Sequence, residues 1–490
     1  MMAKYRIIKI RRNMAFSCKQ VVSVEKLCYT LSMDKRWKTI TASVFALIVA
    51  AVFIWRTLSA EQTLSALICG GAMTVLFIAV GVALCMRPFE AVGAAALSPD
   101  DMLGPRSLRR ARRHPWAEIA LFVLLSRAVV LIAAYILYSY GKTYPGGLWD
   151  TLEDVWTRSD SASYLGIAER WYVTEGDPRF HIVFFPLYPC VIWLFNLALN
   201  NTFVSAMAVS AVMSIIAGIF IYEAAAVDMQ REAALRSVKY AFAMPAAFFM
   251  AAPMTEALFI MLSAAAIYFT RRKKYLIACV LAALSGFTRS VGGLMIVFIA
   301  WEITEDFISA YKNSTLKEDK RRLVLNALCL LLVPLGLIGY LYINYSVTGD
   351  AFTFMRYQKE HWSQGFGFFF EAAETQLNAA VSAAKRGESA LLWGLWIPNL
   401  LASFAALILM RMGAKKLRPS YTAYFLAYFV VACGATWLLS APRYLTACLP
   451  LTFSIAANTD ERKYDIAVTA VCILLQLAYL GMYVNGLYVY

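Results

Sequence analysis

The chain has 490 residues, of which 61% are apolar or aromatic and only 16% are charged. Soluble domains carry about a quarter of charged residues, and no water-soluble core could bury so much apolar surface, so the composition excludes an ordinary soluble protein. The formal net charge of +15 does not indicate nucleic-acid binding. The basic residues are concentrated in short segments between apolar runs, where retention on the cytoplasmic side of a membrane explains them.

The first part of the chain predicts a cytoplasmic tail followed by a helical hairpin. Residues 1–38 are basic and lack the apolar region of a signal peptide, so we expect them to stay in the cytoplasm. Apolar runs near 39–57 and 63–86 are each long enough to cross a hydrocarbon core of about 30 Å. Together with the basic inner loop that follows, these two spans form a predicted unit over 39–115.

The remaining residues, 116–490, are predicted to form the main membrane domain. Its first span leaves the cytoplasm, so the long polar loop 141–179 is predicted to lie outside. That first span is near 116–139, and further spans, marked by later basic inner turns, are predicted near 254–270, 323–346, 392–410, 420–440 and 465–487. Polar clusters then fall at the outer ends of these spans, at Pro253–Glu256, Thr288–Gly292 and Pro442–Tyr444, beside the outer loop 348–389.

One stretch does not fit this alternation of sides. Spans at 182–199, 203–225 and 238–253, counted singly, would place three basic residues outside. One segment must therefore be re-entrant or split into two short passes. The predicted fold class is an all-α integral membrane protein, a polytopic bundle of roughly 11 to 13 transmembrane helices with a large first outer loop.

Cysteine and histidine usage gives no sign of a metal site. Most of the ten cysteines lie inside apolar runs and are interpreted as small buried hydrophobic residues. No two of His114, His181 and His361 are close enough in sequence to suggest a metal-binding pair. We therefore expect no metal ion.

Ionisable residues beside apolar spans are the candidates for chemistry. Asp160 begins a stretch with helical apolar spacing in the first outer loop, where it is either an ordinary helix N-cap or a catalytic base. Glu256 and Arg289 lie next to spans, where a charge costs several kcal/mol unless it is paired or faces water. They form either a structural ion pair or part of a site, and Arg443 is a further charge predicted at the same outer level.

Five short motifs follow one another from the first outer loop onward. They are an Asp-centred loop with an Ile-Ala-Glu stretch (160–169), Phe-Phe-Pro-Leu-Tyr-Pro (184–189), a long Pro-to-Phe pattern (245–259), Thr-Arg-Ser-x-Gly (288–292) and Gly-Asp-Ala-Phe-Thr-Phe with Gln-Lys-Glu-His-Trp (349–362). Their order and spacing over 116–490 resemble the PIG-V family, the mannosyltransferases that add the second mannose in glycosylphosphatidylinositol assembly, with their bacterial relatives. Each motif alone is weak, whereas five in order are strong.

The resemblance implies a GT-C glycosyltransferase that uses a polyprenyl-phosphate sugar at an outer-face cavity. It implies no Rossmann domain and no cofactor besides that co-substrate. The expected partners are a lipid-linked sugar donor, a glycan or glycolipid acceptor and membrane lipids, with room for a small membrane subunit and with no nucleic acid. We expect a bacterial plasma membrane, or the endoplasmic reticulum in a eukaryote.

The resemblance also implies roles for individual residues. An acceptor hydroxyl attacks the anomeric carbon while a lipid phosphate leaves, so Asp160 is the expected base and Arg289 and Arg443 are expected to stabilise the phosphate. A β-linked donor would give an α-mannoside by inversion. Glu256 either orients an acceptor or holds Arg289. The other expected substrate-binding residues are Arg158, Gln358 and Trp362.

Two departures from the family pattern suggest a different acceptor site. Ser159 stands where relatives usually have Trp before the Asp, and Trp171 with Tyr172 stand where relatives have a Gly-Tyr pair. The resemblance does not cover residues 1–115. A transporter or flippase for a lipid-linked saccharide is the alternative function, and it predicts ionisable residues near the membrane midplane. A purely structural membrane subunit would tolerate Asp160→Asn.

Overall fold

The computed structural model describes residues 36–59, 63–87, 114–140, 147–436 and 440–489. The predicted basic tail, apart from its last three residues, and most of the basic loop before residue 115 lie outside these ranges. The described residues form helices joined by short turns, and their β-type pairing is limited to an isolated bridge between Phe366 and Ala435. The all-α prediction is confirmed for this part of the chain.

Nineteen α-helices can be followed along the described ranges. In chain order they are α1 (Arg36–Leu58), α2 (Leu64–Met86), α3 (Trp116–Ser139), α4 (Leu148–Trp156), α5 (Asp160–Arg170), α6 (Leu187–Leu199), α7 (Thr202–Asp228), α8 (Arg231–Ala243), α9 (Glu256–Arg271), α10 (Tyr275–Thr288), α11 (Met295–Lys312), α12 (Leu316–Thr348), α13 (Thr353–Trp362), α14 (Phe369–Arg386), α15 (Ser389–Gly413), α16 (Pro419–Cys433), α17 (Ala441–Thr446), α18 (Leu449–Asn458) and α19 (Arg462–Val484). Short 3-10 helices precede α6, α9 and α11, at Asp177–Val183, Ala247–Ala251 and Ser290–Leu294.

Seven helices in the described part are long and apolar enough to span a membrane. They are α1, α2, α3, α7, α12, α15 and α19, and α6 makes an eighth with the 3-10 helix before it, to which it is bent by 110°. The predicted count of 11 to 13 is not confirmed. The predicted number is higher because it includes apolar segments whose helices are shorter than a full span. Such helices are α9, α10 and α16, with 16, 14 and 15 residues.

An ion-pair network lies where α9 ends and where α10 and α16 begin. Glu302 of α11 is fully buried and accepts from Arg271 Nη1 at 2.5 Å and from Arg418 Nε at 3.2 Å. Arg271, the last residue of α9, also donates to Asp228 at 2.7 Å. Tyr275, the first residue of α10, donates from its hydroxyl to Asp306 at 2.6 Å. The network ties together the ends predicted to face the cytoplasm.

These three helices are too short to cross a hydrocarbon core by themselves. At about 1.5 Å per residue, α9, α10 and α16 are only about 21 to 24 Å long, whereas the hydrocarbon core is about 30 Å thick. We therefore expect a cavity at the ends opposite the ion-pair network to lie below the level that the longer helices reach.

The stretch that did not fit the alternation of sides contains a short helix followed by irregular backbone. Helix α8 is only 13 residues long, and residues 244–255 continue as irregular backbone around a 3-10 helix in which every residue is buried. Irregular backbone is tolerated at membrane depth only where protein surrounds it. Protein surrounds this segment on all sides, and both expected arrangements, a re-entrant segment or a split into two short passes, stay predictions.

The N-terminal hairpin packs into the main bundle. Phe77 of α2 lies 4.5 Å from Phe369 of α14 between ring centroids. Arg56 of α1 donates from Nε to Glu371 of α14 at 2.6 Å. These contacts make α1 and α2 part of one bundle with the later helices, although the predicted boundary near residue 115 stays a prediction.

Candidate active site

A cavity of about 990 Å³ opens at the predicted outer ends of the short helices. Segments distant in sequence line it: the start of α5, the turn after α10, α13, the end of α16 and α17. Five of the predicted site residues are among the lining residues: Asp160, Arg289, Arg443, Gln358 and Trp362.

Asp160 is the first residue of α5, and its carboxylate points across the cavity to α17. Ser159 before it has a φ of 54°, in the left-handed region that costs energy for any residue with a Cβ. Asp160 Oδ2 accepts from Arg443 Nη1 at 2.5 Å, and the Asp160 side chain is 32% exposed. The N-cap interpretation is wrong, because the described start of α5 has no side-chain cap bond and the carboxylate is held by an arginine instead.

Glu256 lies beneath the cavity and joins two arginines. It is 2% exposed at the first residue of α9. Glu256 Oε1 accepts from Arg289 Nη1 at 2.6 Å and also from Arg443 Nε. The predicted Glu256–Arg289 pair is therefore present as half of a larger cluster. Two carboxylates and two guanidinium groups make that cluster electrically neutral.

Two buried polar atoms of this cluster have no hydrogen-bond partner among the described residues. They are Glu256 Oε2 and Arg443 Nη2. Burying a polar group without a partner typically costs about 1 to 3 kcal/mol, more if it is charged. The cluster therefore keeps one acceptor and one donor that the described residues do not satisfy.

The turn that carries Arg289 depends on a glycine. Arg289 ends α10 in an extended conformation, and the 3-10 turn Ser290–Leu294 folds back onto that helix. A Cβ on Gly292 would lie 2.2 Å from the carbonyl carbon and oxygen of Ser285, so no other residue fits without a backbone shift. This contact gives the physical reason for the glycine in the Thr-Arg-Ser-x-Gly motif.

Arg443 is held by packing and by the cluster. It is 4% exposed on the short helix α17. Its guanidinium carbon lies 5.0 Å from the ring centroid of Phe249, in the irregular segment before Glu256. Asn399 of α15 accepts from the Ala441 amide at 2.8 Å, which fixes the start of α17.

Helix α13 forms the wall opposite the cluster, and this wall is aromatic and basic. Trp362 lies 6.0 Å from Phe184 between ring centroids, nearly edge-on. Gln358 Nε2 donates to Gln364 Oε1 at 2.9 Å. Two cations that sequence reasoning missed, Arg356 and Lys359, line the same cavity from α13. They belong to a helix with mixed polar residues, and its sequence does not differ from that of an ordinary solvent-exposed helix.

Arg158 is not part of this constellation, although it was predicted to bind substrate. Its Nη1 donates to the Val484 carbonyl at 2.6 Å and its Nη2 to Asp154 Oδ2 at 2.7 Å. Its guanidinium carbon lies 5.2 Å from the ring centroid of Tyr138. Arg158 joins the outer loop to the end of α19, and it does not line the cavity.

Sequence reasoning also missed a buried cation, Arg127, halfway along α3. It is 7% exposed and donates to backbone carbonyls of the segment before Glu256. The signal was present, since an ionisable residue inside a predicted span is a functional candidate by the rule that selected Glu256 and Arg289.

Comparison with known families assigns much of this region. Residues 146–355 match the family model described as mannosyltransferase (PIG-V). No curated protein and no solved structure was found to match the chain. The matched residues contain Asp160, Glu256 and Arg289, whereas Gln358, Trp362 and Arg443 lie beyond them. Over residues 146–355 the chain is therefore similar to the PIG-V mannosyltransferases, which supports membership of that family.

Proposed function

We propose that the protein transfers a hexose, mannose, from a polyprenyl-phosphate donor to a lipid-linked or cell-surface acceptor on the outer face of a bacterial plasma membrane. The family and the apolar helices support a membrane mannosyltransferase. The observation that carries the finer proposal is the convergence of Asp160, Arg289 and Arg443 in one cavity above the buried Glu256.

Asp160 acts as the general base in this proposal. Arg443 engages its Oδ2, and the 32% exposure of the side chain leaves a carboxylate edge open to the cavity. The acceptor oxygen bonds to the anomeric carbon as its proton passes to Asp160. The bond between that carbon and the phosphate oxygen breaks, and its electron pair leaves with the lipid phosphate. A single displacement of this kind inverts a β-linked donor to an α-mannoside.

The arginines stabilise the phosphate that leaves. Arg289 and Arg443 both line the cavity, so their guanidinium groups are placed to donate to a phosphate oxygen while each keeps its bond to Glu256. The four-residue cluster is neutral by itself. Arg356 and Lys359 on the opposite wall supply the positive charge that attracts an anionic donor.

The remaining part of the cavity suits a sugar attached to a lipid. Trp362 and Gln358 offer an aromatic face and an amide, the combination of apolar surface and placed polar groups that binding pockets use. Phe354, Met355 and Val431 give apolar wall, and the short helices set the floor below the membrane surface. A polyprenyl chain could therefore stay in the bilayer while its phosphate reaches the arginines.

A transfer assay on the purified protein tests this proposal. Protein in lipid vesicles is given radiolabelled polyprenyl-phosphate mannose or polyprenyl-phosphate glucose, with a glycolipid extract as acceptor, and donor consumption is measured. We expect consumption of the mannose donor and an α-linked product. Movement of intact donor between leaflets without consumption would indicate the transporter function instead.

A further inference from the structure

Arg127 is a buried cation whose partners are all neutral. It donates from Nη1 to the carbonyls of Met250 at 2.5 Å and Ser210 at 3.2 Å, and to the hydroxyl of Ser214 at 3.0 Å. Its Nη2 donates to the Ala251 carbonyl at 3.4 Å. The ion pairs found in the described part of the chain include none with Arg127, so no carboxylate explains its presence in the middle of α3.

The atoms that Arg127 contacts belong to backbone that cannot satisfy itself. The 3-10 helix Ala247–Ala251 ends in extended backbone at Ala252, so carbonyls near its end have no helical partner. Arg127 serves Met250 and Ala251, and the Ser210 hydroxyl donates to the Ala252 carbonyl at 2.7 Å. Three consecutive carbonyls at membrane depth thus receive side-chain donors, as irregular backbone there requires.

The segment held in this way leads directly into the candidate active site. Phe249 packs against the Arg443 guanidinium, and Glu256 follows Ala252 by four residues. Glu256 in turn fixes both Arg289 and Arg443. A shift of this segment would displace the floor of the cavity, although Arg127 does not line the cavity itself.

We propose that Arg127 is a positioning residue, which pins the carbonyls of Met250 and Ala251 and so holds Glu256 and Phe249 under Arg443. The expected loss of turnover rests on the proposed function, whereas the holding of this segment by Arg127 does not. A buried charge in a span is costly. An arginine is present here because its planar guanidinium can donate to two adjacent carbonyls, which a smaller polar side chain cannot do.

The test combines two readouts on Arg127→Met. Hydrogen exchange followed by mass spectrometry reports the backbone of 246–256, and the transfer assay reports turnover per folded molecule. We expect faster exchange confined to that segment and a loss of turnover on the order of 10- to 100-fold, because small displacements near reacting groups have effects of this size. Arg236→Met is the matched control, since Arg236 donates to the Ala456 carbonyl at 3.2 Å, away from the cavity.

The outcomes separate the two proposals. Unchanged exchange of 246–256 in Arg127→Met, or an equal change in Arg236→Met, would overturn the positioning role whether or not the protein transfers sugars. Faster exchange in a protein that never consumes donor would leave the positioning role supported and would count against the proposed function. If Arg127→Met does not fold, Arg127→Lys, which keeps the charge but lacks the fork that serves two carbonyls, must accelerate exchange in the same segment.

Discussion

Replacing Glu256 by Gln tests whether the four charges under the cavity form one coupled unit. The substitution keeps the size of the side chain and removes its charge. Arg289 and Arg443, which are 8% and 4% exposed, then have only Asp160 as a counter-charge. Asp160 contacts Arg443 and not Arg289, so Arg289 loses its carboxylate partner.

The expected loss of stability is large for a single substitution. Removing one partner of a buried ion pair typically costs about 3 to 5 kcal/mol, and the glutamine oxygen can still accept from one arginine, which favours the lower end. The double variant Glu256→Gln/Arg289→Gln restores neutrality around Arg443 and Asp160. It should recover part of that stability, since coupling energies between contacting residues are about 0.5 to 3 kcal/mol.

Thermal unfolding in detergent gives the measurement, with a surface carboxylate as control. Arg386 donates a hydrogen bond that holds the pKa of Glu388 below its ordinary value, so Glu388→Gln also removes a charge at neutral pH, but at an exposed pair. We expect Glu256→Gln to lower the melting temperature by several degrees, the double variant to lower it less, and Glu388→Gln to leave it unchanged. Equal melting of Glu256→Gln and wild type would refute the coupled cluster.

Three further predictions concern the frame around the site. Gly292→Ala should abolish most transfer, because its Cβ would lie 2.2 Å from backbone atoms. Gly293→Ala is the control and should transfer normally, since nothing lies within 4 Å of its Cβ. Equal activities of the two variants would show that the turn tolerates the clash. Arg158→Ala should melt earlier than wild type with an unchanged KM for donor, because Arg158 holds the loop and does not line the cavity; a raised KM would return it to the site. A cysteine at Ser363 should be labelled by an impermeant reagent from outside intact cells and one at Lys416 should not; the reverse pattern would invert the topology.

The residues of the charge cluster could be selected from sequence, because a charge beside an apolar span is conspicuous. Glu256, Arg289 and Arg443 were chosen in this way, and Asp160 was chosen because it begins a helical stretch in the polar loop. The fold brings all four together. The distances between these four residues could not be predicted from sequence, because they depend on where the short helices α9, α10 and α16 begin and end. Hydropathy does not report where a helix ends: the apolar run 420–440 contains a helix that stops at Cys433.

The error over Arg158 has a local cause. It precedes Asp160 by two residues, and proximity in sequence suggested a shared site. The positive φ of Ser159 turns the chain between them. Arg158 therefore faces Val484 while Asp160 faces Arg443. A backbone conformation that is rare for serine gives no signal in the sequence.

In the proposed transfer Asp160 takes the proton of the acceptor hydroxyl, and the turnover of Asp160→Asn measures that role. Asparagine keeps the size and can still accept from Arg443, but it cannot serve as a base. We expect the variant to insert, to melt close to wild type and to lose at least about a hundredfold in transfer from polyprenyl-phosphate mannose, with the exposed loop variant Glu175→Gln as the matched control. Near-normal transfer by Asp160→Asn would show that Asp160 is not the base and would move that role to Glu256.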